Sequence, residues 1–167
     1  MASSSRIRST MEATVRDFLQ SPFEATDTGD LRAISRRLTP ECRRQLAPRS
    51  FLLHLETLTP DNNFDNAHSE TAFRENFKVC RVKWIEVVDL VLDEAARRAS
   101  ARTKTVVSYH DDSEIEIETC WFFELVENGT QIQRIVEFVG EEMAARKHVK
   151  NMTLLRYRKS INMALIG

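Results

Sequence analysis

Between Arg97 and Tyr109 the chain alternates with a period of two, and no other stretch restricts the fold as strongly. Ala99, Ala101, Thr103, Thr105, Val107 and Tyr109 fall on one face; Arg98, Ser100, Arg102 and Lys104 fall on the other. This is the pattern of a half-buried strand. It has company: Val82 to Val91 is rich in β-branched and aromatic residues, and Asp93-Glu94 marks a turn before the alternating run. Beyond it, His110-Asp111-Asp112-Ser113 reads as a turn, Ile115 to Val126 as a strand, Asn128-Gly129 as a hairpin signal and Ile132 to Val139 as the return strand. Consecutive antiparallel strands of this kind must cover an apolar face, and the first half of the chain supplies the lid. Met11, Val15, Phe18 and Leu19 recur at helical spacing, with Pro22 and Phe23 at the end. After Asp27-Thr28-Gly29-Asp30, Leu31, Ile34 and Leu38 predict a second helix, and Asn66 or Ser69 caps a third that carries Phe73 and Phe77 and ends near Lys78. Between them, Pro40 is expected to open a short helical turn with Cys42 and Leu46, interrupted by Pro48; the apolar stretch around His54 is too short to classify. The predicted class is α+β, with helices packed on one side of a curved sheet.

Composition narrows the function. The 167 residues fit one domain, and with 42% apolar and 29% charged residues but only 4 Gly and 4 Pro the chain is expected to fold around a packed core. A net charge of -1 gives no global field toward nucleic acid or an anionic bilayer, so neither partner is expected. No run approaches the roughly 18 apolar residues of a membrane span. Met1 to Thr10 lacks an apolar core like that of a signal peptide, which predicts a cytoplasmic chain. The sequons at Asn128 and Asn151 then read as coincidence. Cys42, Cys80 and Cys120 form no CxxC pair and no Cys/His cluster, so no disulfide framework and no metal site is expected. Without a glycine-rich phosphate loop no cofactor is expected either. The predicted organisation is a disordered segment over residues 1–10, a domain over 11–145, and a basic, partly apolar helix or tail over 146–167 suited to docking on a partner subunit.

The last hairpin has two closures, and a shift of one residue between them turns every side chain of the return strand over. A two-residue turn sets Glu137 beside Cys120 in a solvated charge lattice with Glu118, Arg102 and Lys104. A three-residue loop with Gly129 left-handed sets Gln133, Ile135, Glu137 and Val139 on the face of Thr119, Trp121 and Phe123. Periodicity does not choose between them.

Three helices before a four-stranded meander, the stretch from Asn128-Gly129-Thr130 to Val139-Gly140-Glu141-Glu142, and the turn Thr28-Gly29-Asp30-Leu31 together resemble the nuclear transport factor two-like superfamily, which includes ketosteroid isomerase, scytalone dehydratase and the SnoaL-like cyclases. Cys42, Pro48 and Ser50, with Val88-Asp89 and Asp93-Glu94-Ala95-Ala96-Arg97, resemble more closely the small fungal SnoaL-like isomerases of polyketide, tetrahydroxanthone and meroterpenoid pathways. The resemblance spans about residues 10 to 145. It implies a cone-shaped barrel: a curved, four- to six-stranded, mainly antiparallel sheet with three N-terminal helices on its concave face. It also implies the bulged register, which puts Glu137 inside the cone as the proton-transfer group, with His54 or His68 as its partner. Trp121, Phe123, Thr119, Ile135, Arg49 and Phe18 would line the substrate, and one of Arg43, Arg44 and Arg49 beside Pro48 would hold an acidic or phenolic oxygen. Phe18, and Ala47 before Pro48, stand where ketosteroid isomerase carries its tyrosine and aspartate. Tyr109 and Tyr157 match no motif of scytalone dehydratase, so neither of those two activities is implied. The function implied is a cofactor-independent isomerase or cyclase acting by general acid/base catalysis on a small polyketide-like molecule in fungal secondary metabolism. The alternative is a non-catalytic ligand-binding or protein-interaction module on the same fold. The opposite face, with Phe122, Ile132, Val136 and Phe138, is expected to form a homodimer.

Overall fold

The computed structural model describes residues 2–48 and 63–166, so Arg49 and His54 lie outside the described residues. The elements run α1 (Ala2–Thr28), a 3-10 helix (Leu31–Ser35), β1 (Leu38–Ala47), β2 (Asn63–Phe64), α2 (Asn66–Asn76), β3 (Cys80–Asp93), β4 (Arg98–Tyr109), β5 (Glu114–Leu125), β6 (Ile132–Val139) and α3 (Glu141–Ile166). The strands form one curved, unclosed sheet in the order β2-β1-β6-β5-β4-β3, antiparallel except where β1 runs parallel to β6. Register shifts in β3 after Val82 and Val87 mark irregularities of the kind that bend a sheet. The class is α+β, with helices laid on the concave face.

The helical spacing near the N-terminus has the predicted consequence: Met11, Val15, Phe18 and Leu19 are buried against Ala99, Ala101, Phe123 and Ile135 of the sheet. The helix is longer than the spacing predicts. It takes in residues 2–10, expected to be disordered, and continues through Pro22. Proline cannot donate to the carbonyl four residues earlier, here that of Phe18, and the buried Ser21 hydroxyl donates to that carbonyl instead at 2.6 Å. Asp30 caps the 3-10 helix by accepting from the Arg32 amide, and Asp65, rather than Asn66 or Ser69, caps α2 by accepting from the His68 amide at 2.8 Å.

Two expectations fail, for different reasons. The second helix is a single 3-10 segment, and from Leu38 the chain is a strand, so Cys42 and Leu46 lie on β1 and not on a helical turn. Local propensity in Pro40-Glu41-Cys42-Arg43-Arg44-Gln45 does not favour a strand; pairing along β6 supplies it, and Pro40 sits within a register irregularity that tolerates its missing amide. In the last hairpin Gly129 is left-handed as expected, at φ 71°, but Val126 bonds the Gln131 carbonyl and Leu125 pairs with Ile132. The extra residue is Gln133, where Glu124 pairs with Arg134. Gln133 therefore turns out to solvent instead of joining the inner face, and Ile132, expected on the outer face, is fully buried inside. Below the bulge the register is the one that sets Glu137 opposite Trp121. Gly129 is also a packing requirement, because a Cβ there would come within 2.8 Å of Met11 Cγ, and the buried Thr14 hydroxyl donates to its carbonyl at 2.8 Å.

Residues 146–166 belong to helix α3, which packs on its own chain. Tyr109 donates its hydroxyl to Asn151 Oδ1 at 2.9 Å, Asn151 donates to Asn76 Oδ1 at 2.8 Å, and Leu154 packs on the cluster of Cys80, Val82, Val107 and Tyr109. Asn151 of the second sequon is thus buried and bonded. No helix of the described residues is long and apolar enough to cross a membrane.

Candidate active site

Residues directly opposite one another on neighbouring strands share a face, so the register lays the inner surface out in rows. One row runs Ala101, Trp121, Glu137, Leu46; the next runs Ala99, Phe123, Ile135, Arg44, Phe64. Glu137 on β6 and Arg44 on β1 are therefore diagonal neighbours on the concave side. Aromatic rings surround them. Phe18 from α1 stands edge-on to Trp121 and Phe123, with ring centres 5.9 Å and 5.6 Å apart, and Trp121 and Phe123 are parallel at 6.1 Å. The Trp121 indole donates to the buried Thr103 hydroxyl at 2.9 Å, which fixes the ring in place. The Arg44 guanidinium lies 5.3 Å from the Phe18 ring centre and 6.0 Å from that of Phe73 on α2, within reach of the ring quadrupoles.

The electrostatics follow from this enclosure. Glu137 keeps part of its residue surface, but its carboxyl is surrounded by protein. Loss of hydration pushes its pKa up, opposed by the positive charges of Arg44 and of Lys147 on α3. Burial likewise works against the charge of Arg44, which the Glu137 carboxylate partly restores. The Cys42 thiol, two residues before Arg44 on the same face, is pushed up to about 11 by burial, so it stays a thiol at neutral pH. Arg44 is 8% exposed, and its Nε has no hydrogen-bond partner. Among the described residues no ion pair joins it to Glu137. A buried cation and a buried acid thus face the same aromatic space without neutralising one another by contact.

The other candidates are distributed as follows. Phe18, Thr119, Phe123 and Ile135 are buried, with Phe18, Phe123 and Ile135 in the core cluster under α1 and Thr119 opposite Val139. His68 is exposed on the first turn of α2 with its ring 4.7 Å from that of Phe64, at the rim of the site. Among the described residues the charges acting on Glu137 are Arg44 and Lys147, and His68 is not one of them. Arg43 points to solvent. A groove of about 420 Å³ lies near Phe122, Val136 and Val91 on the convex side, but its Arg98 and Arg134 both pair with Glu124. It brings no buried acid or base together.

No protein-family model and no curated protein sequence matches the chain. Solved structures do. BvnE pinacolase from Penicillium brevicompactum superposes with a TM-score of 0.70 at 16% identity, over 89% of this chain and 97% of that one. PrhC from Penicillium brasilianum gives 0.66 at 17% identity over 92% of both chains, and a protein described as NTF2-like from Burkholderia xenovorans gives 0.57 at 11% over 83% and 95%. The chain has the nuclear transport factor two-like fold. In this chain the register of the last strand turns Ile135, Glu137 and Val139 into the concave face.

The sequence does not single out two charges that act on Glu137, Arg44 and Lys147. Of the three arginines beside Pro48 the sequence reading places Arg49, not Arg44, among the residues lining the substrate; the alternation Cys42, Arg44, Leu46 against Glu41, Arg43, Gln45 is the signal that separates Arg44, once the segment is read as a strand. Lys147 fell in a segment assigned outside the domain, and nothing local points it at Glu137.

Proposed function

We propose that this chain is a cofactor-independent isomerase or cyclase that moves a proton on a polyketide-derived aromatic or keto-enol intermediate, with Glu137 as the proton-transfer group. The observation that carries this reading is the convergence of Glu137, Arg44 and Cys42 on one aromatic-lined face, where a carrier of apolar molecules has no use for a buried acid and a buried cation. As a carboxylate, Glu137 removes a proton from a carbon next to a carbonyl; as the acid, it returns the proton to another carbon of the conjugated system. Desolvation holds the two forms closer in energy at neutral pH than in an exposed glutamate, and Arg44 and Lys147 keep the carboxylate accessible. Trp121 and Phe18 offer flat apolar walls for a planar substrate. Fold neighbours from Penicillium and Aspergillus support a fungal biosynthetic setting, and two bacterial neighbours described as isomerases support the reaction class.

The test is exchange of α-protons for deuterium in D2O, followed by proton NMR on enolisable bicyclic ketones such as 2-tetralone. Since proton removal needs the carboxylate, the enzyme-dependent rate should rise with pH through a pKa above the ordinary glutamate value and then level off. Exchange no faster than buffer across the series would remove the catalytic reading.

The assembly we propose is a homodimer through the convex face. Phe122 and Phe138 are 50% and 45% exposed there and meet edge-on at 5.9 Å, beside Val136 and a 65% exposed Val91. A symmetric sheet-to-sheet contact would cover this patch. Sedimentation velocity at micromolar concentration should show twice the 19.3 kDa chain mass, and a monomer would count against the contact.

A further inference from the structure

We infer that the ligand of the concave face is an anion, a conjugated or aromatic molecule whose ionised oxygen sits on the guanidinium of Arg44. The inference rests on the proposed proton-transfer site and names the class of molecule that enters it. Arg44 is enclosed on the inner face of β1, with Nε unbonded and no ion pair among the described residues. A buried cation without a contact partner is costly, and an arginine in that position is matched best by a planar oxyanion that takes two parallel N–H bonds. The Phe18 and Phe73 rings lie beside the guanidinium without offering it an acceptor, and its Nε–H has no hydrogen-bond partner. Glu137 is the only acid on the described inner face near it. Burial favours the neutral form of that acid, which repels an incoming anion less than a carboxylate would and can donate to it. The charge balance therefore changes on binding: Arg44, with Lys147 acting from α3, stands against an acid reluctant to ionise, and the ligand supplies negative charge. The partly buried Trp121 ring, backed by Phe18 and Phe123, sets the apolar body of the ligand beside that charge.

Either a carboxylate or an enolate oxygen would satisfy Arg44, and two pairs of probes separate them. 4-Hydroxycoumarin, an enolate at neutral pH, is compared with neutral 4-methoxycoumarin, and 2-naphthoate with its methyl ester; binding to the full chain is followed by tryptophan fluorescence and calorimetry. At least one anion should bind wild type about tenfold or more tightly than its neutral counterpart, a preference of the size a charge-assisted arginine contact supports, and the anion that does so identifies the oxygen. Arg44→Met should reduce that preference to about threefold or less with the neutral probe unaffected, while Arg44→Lys, which keeps the charge but not the planar fork, should retain an intermediate preference. Lys147→Met, which removes a nearby charge but no bond to the ligand oxygen, should reduce the preference less than Arg44→Met does. No anion preference in wild type, or a preference that survives Arg44→Met and disappears in Lys147→Met, overturns the assignment. If Arg44→Met does not fold, the Arg44→Lys series decides alone: an unchanged preference there overturns the planar contact. Because the readout is equilibrium binding, loss of the isomerase reading through absent proton exchange leaves it standing, and failure here leaves proton exchange by Glu137 untouched.

Discussion

Replacing Glu137 with glutamine should slow proton exchange by a factor on the order of a hundred or more, about 2.7 kcal/mol of barrier, while leaving the fold intact. The amide reproduces the shape and donor capacity of the protonated acid that burial favours, but it cannot take up or release the transferred proton. The stability of the variant carries its own sign. Glu137 has a folded-state pKa raised above its unfolded value, so the stability it contributes is full below the unfolded pKa and is lost as pH rises through the folded one. Glutamine does not ionise, so the variant should match wild type in mildly acidic buffer and gain on it as the pH climbs. Chemical denaturation at two pH values reads this directly. Unchanged exchange in the variant would move the chemistry elsewhere, and a stability gap that shrinks as pH rises would mean that the buried acid is not destabilised by its site.

The second large effect belongs to the core that holds the site in shape. Phe123→Ala should cost about 3–5 kcal/mol, a substantial part of the roughly 5–15 kcal/mol that stabilises a domain of ordinary size. The side chain is 1% exposed, sits between Ala99 and Ile135 in its row, and meets the rings of both Phe18 and Trp121. Removing it opens a void under α1 that neighbours fixed by the sheet cannot collapse to fill. Its neighbour Phe122 points the other way and is half exposed, so the same truncation there should cost the isolated chain far less. Urea midpoints of the two variants make the comparison. A loss under about 1 kcal/mol at Phe123 would contradict the packing described.

What could be read along the chain was what depends on near neighbours. The alternation of Arg98 to Tyr109 became β4, and the helical spacing of Met11, Val15, Phe18 and Leu19 became the buried stripe of α1, because each pattern states which residues must leave water and a single periodic element satisfies it. Glu137 was legible only as one of two registers, since the alternative closures of its hairpin differ by one residue. The choice fell to a bulge at Gln133 that no local signal marks. Tertiary structure alone decided the rest. The segment from Leu38 to Ala47 has the composition of a turn and becomes a strand because β6 offers it a free edge, and only that pairing turns Arg44 inward onto Phe18 and into the row next to Glu137. The charge of Lys147 acts on Glu137 from α3, which Tyr109, Asn151 and Asn76 fasten to the sheet and α2. The charges that tune the buried acid come from residues about ninety positions before it and ten after it, and sequence periodicity carries no information about contacts that the closing of the fold creates.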